Sequence, residues 1–143
     1  DAVCTLPYAT FHTGYKQTER RPTELLTNIT LPRRTKPEHR HYYRKVGTRS
    51  AQAISKVCIA AWADTANGLV RDIRIGLGSV APTPVRALAT EAVLRGSRPQ
   101  NNVIVDAISA LRKDIAPIDD IRSTAAYRTA VSCNLLRDFL ESL

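Results

Sequence analysis

The residues able to carry chemistry in this chain are few and scattered. Asp119-Asp120 is an adjacent carboxylate pair of the kind used for metal binding or general acid–base work. Its position just ahead of an apolar-periodic run gives it a simpler duty, complementing the positive end of a helix. Cys4, Cys58 and Cys133 are far apart and odd in number, with no CxxC or Cys/His cluster around them. That spacing suits neither zinc nor an iron–sulfur cluster. It predicts free thiols, Cys58 and Cys133 buried, in a reducing cytosol. His39 and His41 are two residues apart, which matches no ligand spacing, and they read as exposed. There is no nucleophile triad spacing, no GxGxxG and no Walker A sequence. No catalytic residue and no metal ligand is assigned.

The other chemical signal is charge. The net charge is +8, and Arg33, Arg34, Lys36, Arg40, Arg44, Lys45 and Arg49 lie close together with Glu38 as the one acid among them. Such a cluster, with Tyr42 and Tyr43 interleaved, is either a nucleic-acid-binding patch or a solvated linker leading into a strand. No recognised nucleic-acid motif accompanies it, which favours the linker. Asn28-Ile29-Thr30 spells a glycosylation sequon, but a strand with small polar residues explains it more simply without a secretory signal.

The elements that must position these groups follow from length and pattern. A chain of 143 residues with 43% apolar content is one folded domain with one core. No apolar run is long enough to span a membrane, and no signal peptide is recognisable. The chain contains no methionine, which predicts a processed or partial protein. Residues 1–32 differ from the rest. Phe11–Tyr15 and Leu25–Leu31 read as short extended segments, and a Pro- and Arg-rich connector over 33–41 follows. Beyond it, strands are expected over Tyr43–Thr48, Ile54–Ala63 and Val70–Val80. Asn67-Gly68 is a two-residue hairpin turn. Ile73, Ile75 and Leu77 alternate with Asp72, Arg74, Gly76 and Gly78, so one face of this meander is buried.

Three helices come next. The first is expected from Pro84 to Arg95, with Thr83 as N-cap, Val85, Leu88, Ala89 and Ala92 inward, and Gly96 as the stop. The second runs over Val103–Ile115, capped by Asn101 or Asn102, with Ile104, Ile108, Leu111 and Ile115 on one stripe. The third runs over Thr124–Glu141 behind Ser123, its end marked by Leu136, Phe139, Leu140 and Leu143. Strands followed by helices give an α+β fold. Three helices cover one face of a three- to four-stranded antiparallel sheet. By its chemistry alone the chain reads as a scaffold or binding module.

Several of these segments resemble one family, the FAD subunits of molybdenum hydroxylases such as xanthine dehydrogenase and carbon monoxide dehydrogenase. Tyr43–Val57, Asp72–Arg86 and Pro117–Arg128 are similar to the opening strand and loop, the third strand with first helix entrance, and the last helix entrance of their C-terminal domain. Phe11–Thr18 and Pro22–Pro32 are similar to the tail of the preceding FAD-binding domain. The resemblance thus divides the chain into 1–32, a basic linker 33–41, and a C-terminal domain 42–143.

It also implies a subunit that binds FAD beside iron–sulfur and molybdopterin subunits, with electrons passing from 2Fe–2S centres through flavin to an acceptor such as NAD or oxygen. Leu26 and Lys45 match flavin-adjacent positions in that family, Lys45 bringing positive charge to the flavin ring. Val46–Ala53 matches a loop shaping access to the flavin, but Gln52 and Ala53 stand where acids are common in relatives. The glycine-rich segments that cradle the FAD pyrophosphate are absent, so the chain alone is expected to bind no FAD and to catalyse nothing. A nucleic-acid-binding module and a pure subunit-interaction domain are the competing readings.

Overall fold

The strand signals place the sheet, and the sheet organises everything after it. A computed structural model describes residues 3–31, 39–50 and 52–143. In chain order the elements are α1 (Tyr8–Phe11), β1 (His12–Gly14), β2 (Gln17–Thr18), β3 (Arg40–Val46), β4 (Val57–Ala66), β5 (Leu69–Gly78), β6 (Val85–Arg86), α2 (Leu88–Leu94), α3 (Asn101–Asp114) and α4 (Ala125–Glu141). Strands β3 to β6 form a four-stranded antiparallel sheet in sequence order, and β1–β2 make a separate two-stranded pair. The α+β fold expected from the pattern is the one observed.

Asn67 and Gly68 both take positive φ, 53° and 74°, as a primed turn between β4 and β5 requires. Alternation then sorts the side chains. Val57, Ile59, Ala61 and Ala63 of β4 and Ile73, Ile75 and Leu77 of β5 face the core. Leu94, Ile104, Leu111, Leu136, Phe139 and Leu140 close over them from the helices. Cys133 is buried and free, as expected, and burial pushes its thiol upward from the ordinary range. Cys58 is only half-buried, because it sits on the opposite face of β4.

The boundaries depart from expectation at several points. The expected strand at 43–48 starts earlier, at Arg40, and the one at 54–63 is shifted to 57–66. The first helix entrance is a strand. Pro84 directs the chain into β6, where Val85 pairs with Leu77 and Arg86 with Gly76. A proline also favours extended backbone in the residue before it, so Thr83-Pro84 opens an edge strand as readily as a helix. Helix α2 begins later, turning Ala87, Thr90, Glu91 and Leu94 inward and leaving Leu88, Ala89 and Ala92 exposed. Its cap comes from another helix: Asp114 accepts from Ala89 N, Thr90 N and Thr90 Oγ1 at 3.1, 2.9 and 2.8 Å.

Asn101 and Asn102 lie inside α3, whose N-cap is Gln100 without a side-chain bond. Helix α4 is capped by Thr124, not Ser123; Thr124 Oγ1 accepts from Tyr127 N. Asp119 accepts from Ala125 N at the same end. The carboxylate pair therefore serves this helix entrance, as its position suggested. Gly96 ends α2 at φ 76°, as expected.

Residues 3–31 are built differently. None of them is buried, and among the described residues none of their backbone hydrogen bonds reaches the sheet. Phe11–Tyr15 yields the short β1, whereas Leu25–Leu31 has no regular structure. Residues 33–38 of the basic linker lie outside the described residues.

Candidate functional site

Among the described residues no helix covers the sheet's second face, and that face carries the polar chemistry. Register puts His41, Tyr43 and Lys45 of β3 beside Trp62, Ala60 and Cys58 of β4. On the other side of β4, Trp62, Ala60 and Cys58 pair with Arg74, Gly76 and Gly78 of β5, and Gly76 pairs with Arg86 of β6. Small residues at the centre and long ones around them make an open trough of about 390 Å³, lined by His41, Ala60, Trp62, Arg74, Gly76 and Arg86. His39 is not exposed as expected. Its ring meets Trp62 edge-on at 4.8 Å, because strand pairing already begins at the next residue.

Lys45 is exposed near the end of β3 on this face, next to Cys58. The strand then leaves as the loop 47–55 and returns at Lys56, whose N–H donates to Val46 O at 2.7 Å. Within the loop the Arg49 guanidinium donates to Gln52 O at 3.2 and 2.6 Å, and Gln52 sits at φ 51°. A small hollow of about 100 Å³ lies among Lys45, Gly47, Arg49, Ser50, Gln52 and Ala53. Leu26, the other position singled out from the sequence, is 62% exposed in the segment 3–31. No described contact brings Leu26 and Lys45 together.

The basic cluster is divided by the strand. Arg40 and Arg44 share one face of β3 with Tyr42, and the Arg44 guanidinium lies 5.1 Å over the Tyr42 ring. Lys45 faces the other way. Arg33, Arg34 and Lys36 lie outside the described residues. Alternation thus divides the described members of this cluster between the two faces of β3. Tyr42 in turn donates to Asp138 of α4 at 2.5 Å. Burial first, then this bond and the carboxylate's charge, push its hydroxyl up to about 12.

Two buried ionic clamps hold the sheet to its helices, and neither was legible in the sequence. Glu91 of α2 is fully buried. It accepts from Ile75 N at 2.8 Å, from Arg86 through both carboxylate oxygens, and from Arg95 at 2.8 Å. It stands where β6 is too short to supply a carbonyl to β5. Arg95 also reaches Asp72. Burial works against ionisation of Asp72, yet hydrogen bonds from Arg74 and Arg95 together hold its carboxyl below the usual range. The second clamp is Arg128 of α4, 4% exposed. It donates to Lys56 O at 2.9 Å, Ser79 O at 2.8 Å and Asp120 at 2.7 Å. The signal available for both was a charged residue on an otherwise inward helical face.

Among the described residues no cluster of His, Cys, Asp or Glu could hold a metal, and no helix is long and apolar enough to cross a membrane. A flavin fits the residues present only in part. Lys45 offers an exposed cation and Leu26 an exposed apolar surface for a ring, but the described glycines form no phosphate cradle.

Comparison with known proteins gives these features their frame. The chain is 29% identical over 124 residues to a putative xanthine dehydrogenase FAD-binding subunit of Escherichia coli (strain K12), covering 86% of this chain and 42% of that protein. It thus spans less than half the length of that relative. Its fold is similar to carbon monoxide dehydrogenase from Hydrogenophaga pseudoflava lacking the Mo-pyranopterin moiety (27% identity, TM-score 0.85, 93% of this chain and 46% of that one). It is also similar to reconstituted CO dehydrogenase from Oligotropha carboxidovorans (28%, TM-score 0.81, 92% and 46%). Quinoline 2-oxidoreductase from Pseudomonas putida 86 shares the fold at 19% identity and TM-score 0.79, over 93% of this chain and 45% of that one. Residues 41–143 match the CO dehydrogenase flavoprotein C-terminal domain, and the chain belongs to that family.

Proposed function

We propose that this chain is the C-terminal part of the FAD-binding subunit of a cytoplasmic molybdenum hydroxylase of the xanthine dehydrogenase type. In this reading residues 1–32 end the FAD-binding domain, 33–41 link, and 42–143 form the flavoprotein C-terminal domain. The partners are the iron–sulfur and molybdopterin subunits and the phosphate-cradling part of the same subunit. The partner's 2Fe–2S centres and the subunit's FAD would supply the electron-transfer chemistry towards an acceptor. The observation that carries the reading is the family match over 41–143 together with the resemblance of residues 11–32 to the end of an FAD-binding domain.

The flavin, when bound, supplies the redox chemistry. The chain's own residues have narrower duties. Lys45 presents one positive charge on the uncovered sheet face and makes the site more favourable to an electron-rich ring. Leu26 offers an apolar contact, and the loop 46–53 limits solvent access from the side of Arg49 and Gln52. The chain by itself has too little of the site to retain FAD. The purified chain is expected to be colourless, and joining it to the cradle-bearing part is expected to give one flavin per subunit by absorption spectroscopy. A stoichiometric yellow colour in the isolated chain overturns this division of labour. Absence of flavin from the assembled subunit overturns the functional reading itself.

A further inference from the structure

The entrance of the last helix, Pro117–Arg128, has no part in the flavin chemistry just described, yet its final residue reaches the base of the Lys45 loop. Arg128 is 4% exposed and gathers three stretches of chain. Its Nη1 donates to Lys56 O, where the loop returns to the sheet, and to Ser79 O, just beyond β5. Its Nη2 donates to Asp120. Asp120 is itself fixed, accepting from Arg122 N at 2.8 Å and Ser123 N at 3.0 Å. Lys56 N–H closes onto Val46 O, next to Lys45. Ser79 holds φ 66°, a left-handed conformation that a non-glycine residue keeps only when its surroundings impose it. A guanidinium spreads its donors over separate nitrogens in a fixed plane and so reaches acceptors on three stretches of chain, whereas an ammonium radiates its three from a single nitrogen.

We infer that Arg128, oriented by Asp120, is a positioning residue for the loop that follows Lys45: it fixes the angle at which loop 47–55 leaves the sheet and hence where Lys45, near the end of β3, stands relative to the flavin. The chain of contacts runs from Asp120 to Arg128, to the Lys56 carbonyl, through the Lys56 N–H to Val46, and so to Lys45. This inference rests on the proposed placement of Lys45 beside the flavin, and its test separates the two.

The flavin-loaded full subunit is compared as wild type, Arg128→Lys, Asp120→Asn and Lys45→Ala. Asp120→Asn keeps side-chain size at a partly solvated position and carries the test if the buried substitution fails to fold. Hydrogen exchange of residues 46–56 is expected to speed up about tenfold in Arg128→Lys, and less in Asp120→Asn, with β5 amides such as Ile73 unchanged. The flavin midpoint potential is expected to move in the direction produced by Lys45→Ala, by a smaller amount. Unchanged exchange over 46–56 in both variants overturns the inference. So does a loosened loop with the wild-type potential when Lys45→Ala shifts it. If Lys45→Ala leaves the potential unmoved, the placement of Lys45 at the flavin fails, and the link from Arg128 to the flavin fails with it.

Discussion

Residues 3–31 and the sheet domain that begins at Arg40 treat apolar side chains in opposite ways. Leu25, Leu26, Ile29 and Leu31 stand 87, 62, 75 and 81% exposed, whereas Ile59, Ile73, Ile75, Leu111 and Phe139 are fully buried. The residue types are alike; the difference is the opposing layer. The sheet has helices α2, α3 and α4 laid across it, and the first region has only a four-residue helix and a two-stranded pair. Hydrophobic pattern states that a side chain favours burial, and the chain must still contain the surface that buries it. Among the described residues only the second region does.

Substitutions test that contrast directly. The largest effect is expected from Phe139→Ala, which empties the centre of the core and should cost about 3–5 kcal/mol, read as a lower urea midpoint at unchanged slope. A loss of under about 1 kcal/mol there would erase the distinction between the regions. Glu91→Ala ranks next, at about 3 kcal/mol, because it removes the acceptor for Ile75 N–H and the partner of two arginines. Those arginine side chains are 40 and 39% exposed and regain water, which keeps the loss at the low end. Glu91→Gln should recover part of it, since the amide still accepts one bond.

A smaller, pH-dependent effect is expected at Tyr42. Its folded value of about 12 lies above the unfolded one of about 10. Its contribution is therefore complete below about pH 10 and lost as pH rises towards 12. Tyr42→Phe should flatten that alkaline decline and remove a phenolate step near pH 12 from the absorbance curve. The smallest effect belongs to Leu26→Ala, within about 0.5 kcal/mol in this chain. A larger loss would mean that the first region is packed after all.

The fold was legible where pattern is strict. The alternation of Ile73, Ile75 and Leu77, the Asn67-Gly68 turn and the stripe Ile104, Ile108, Leu111 and Ile115 each admit one reading, because a shift of one residue would turn the apolar set to water. Thr83-Pro84 misled because a proline's fixed φ suits a helix start and an edge strand alike. What separates them is whether β5 has a free edge to pair with, which is a tertiary fact. Ser123 missed by one residue for a lesser reason: Ser and Thr cap equally well, and Thr124 is the one with its hydroxyl at the right turn. The proposed flavin-side place of Lys45 rests on resemblance alone, since Lys45 is unremarkable by type. Glu91 and Arg128 escaped because a buried charge is readable only from partners far along the chain, such as Ile75 and Lys56.

The position of β3 at the border of the sheet has one more consequence. Among the described residues no strand pairs with its outward rim along Arg40–Val46, the kind of edge on which a second molecule can add a strand. Arg40, Arg44 and Lys45 stud that rim with like charge, which disfavours the edge-to-edge approach of two copies. Charge on a border strand is one of the ordinary means by which an open sheet is kept from extending itself.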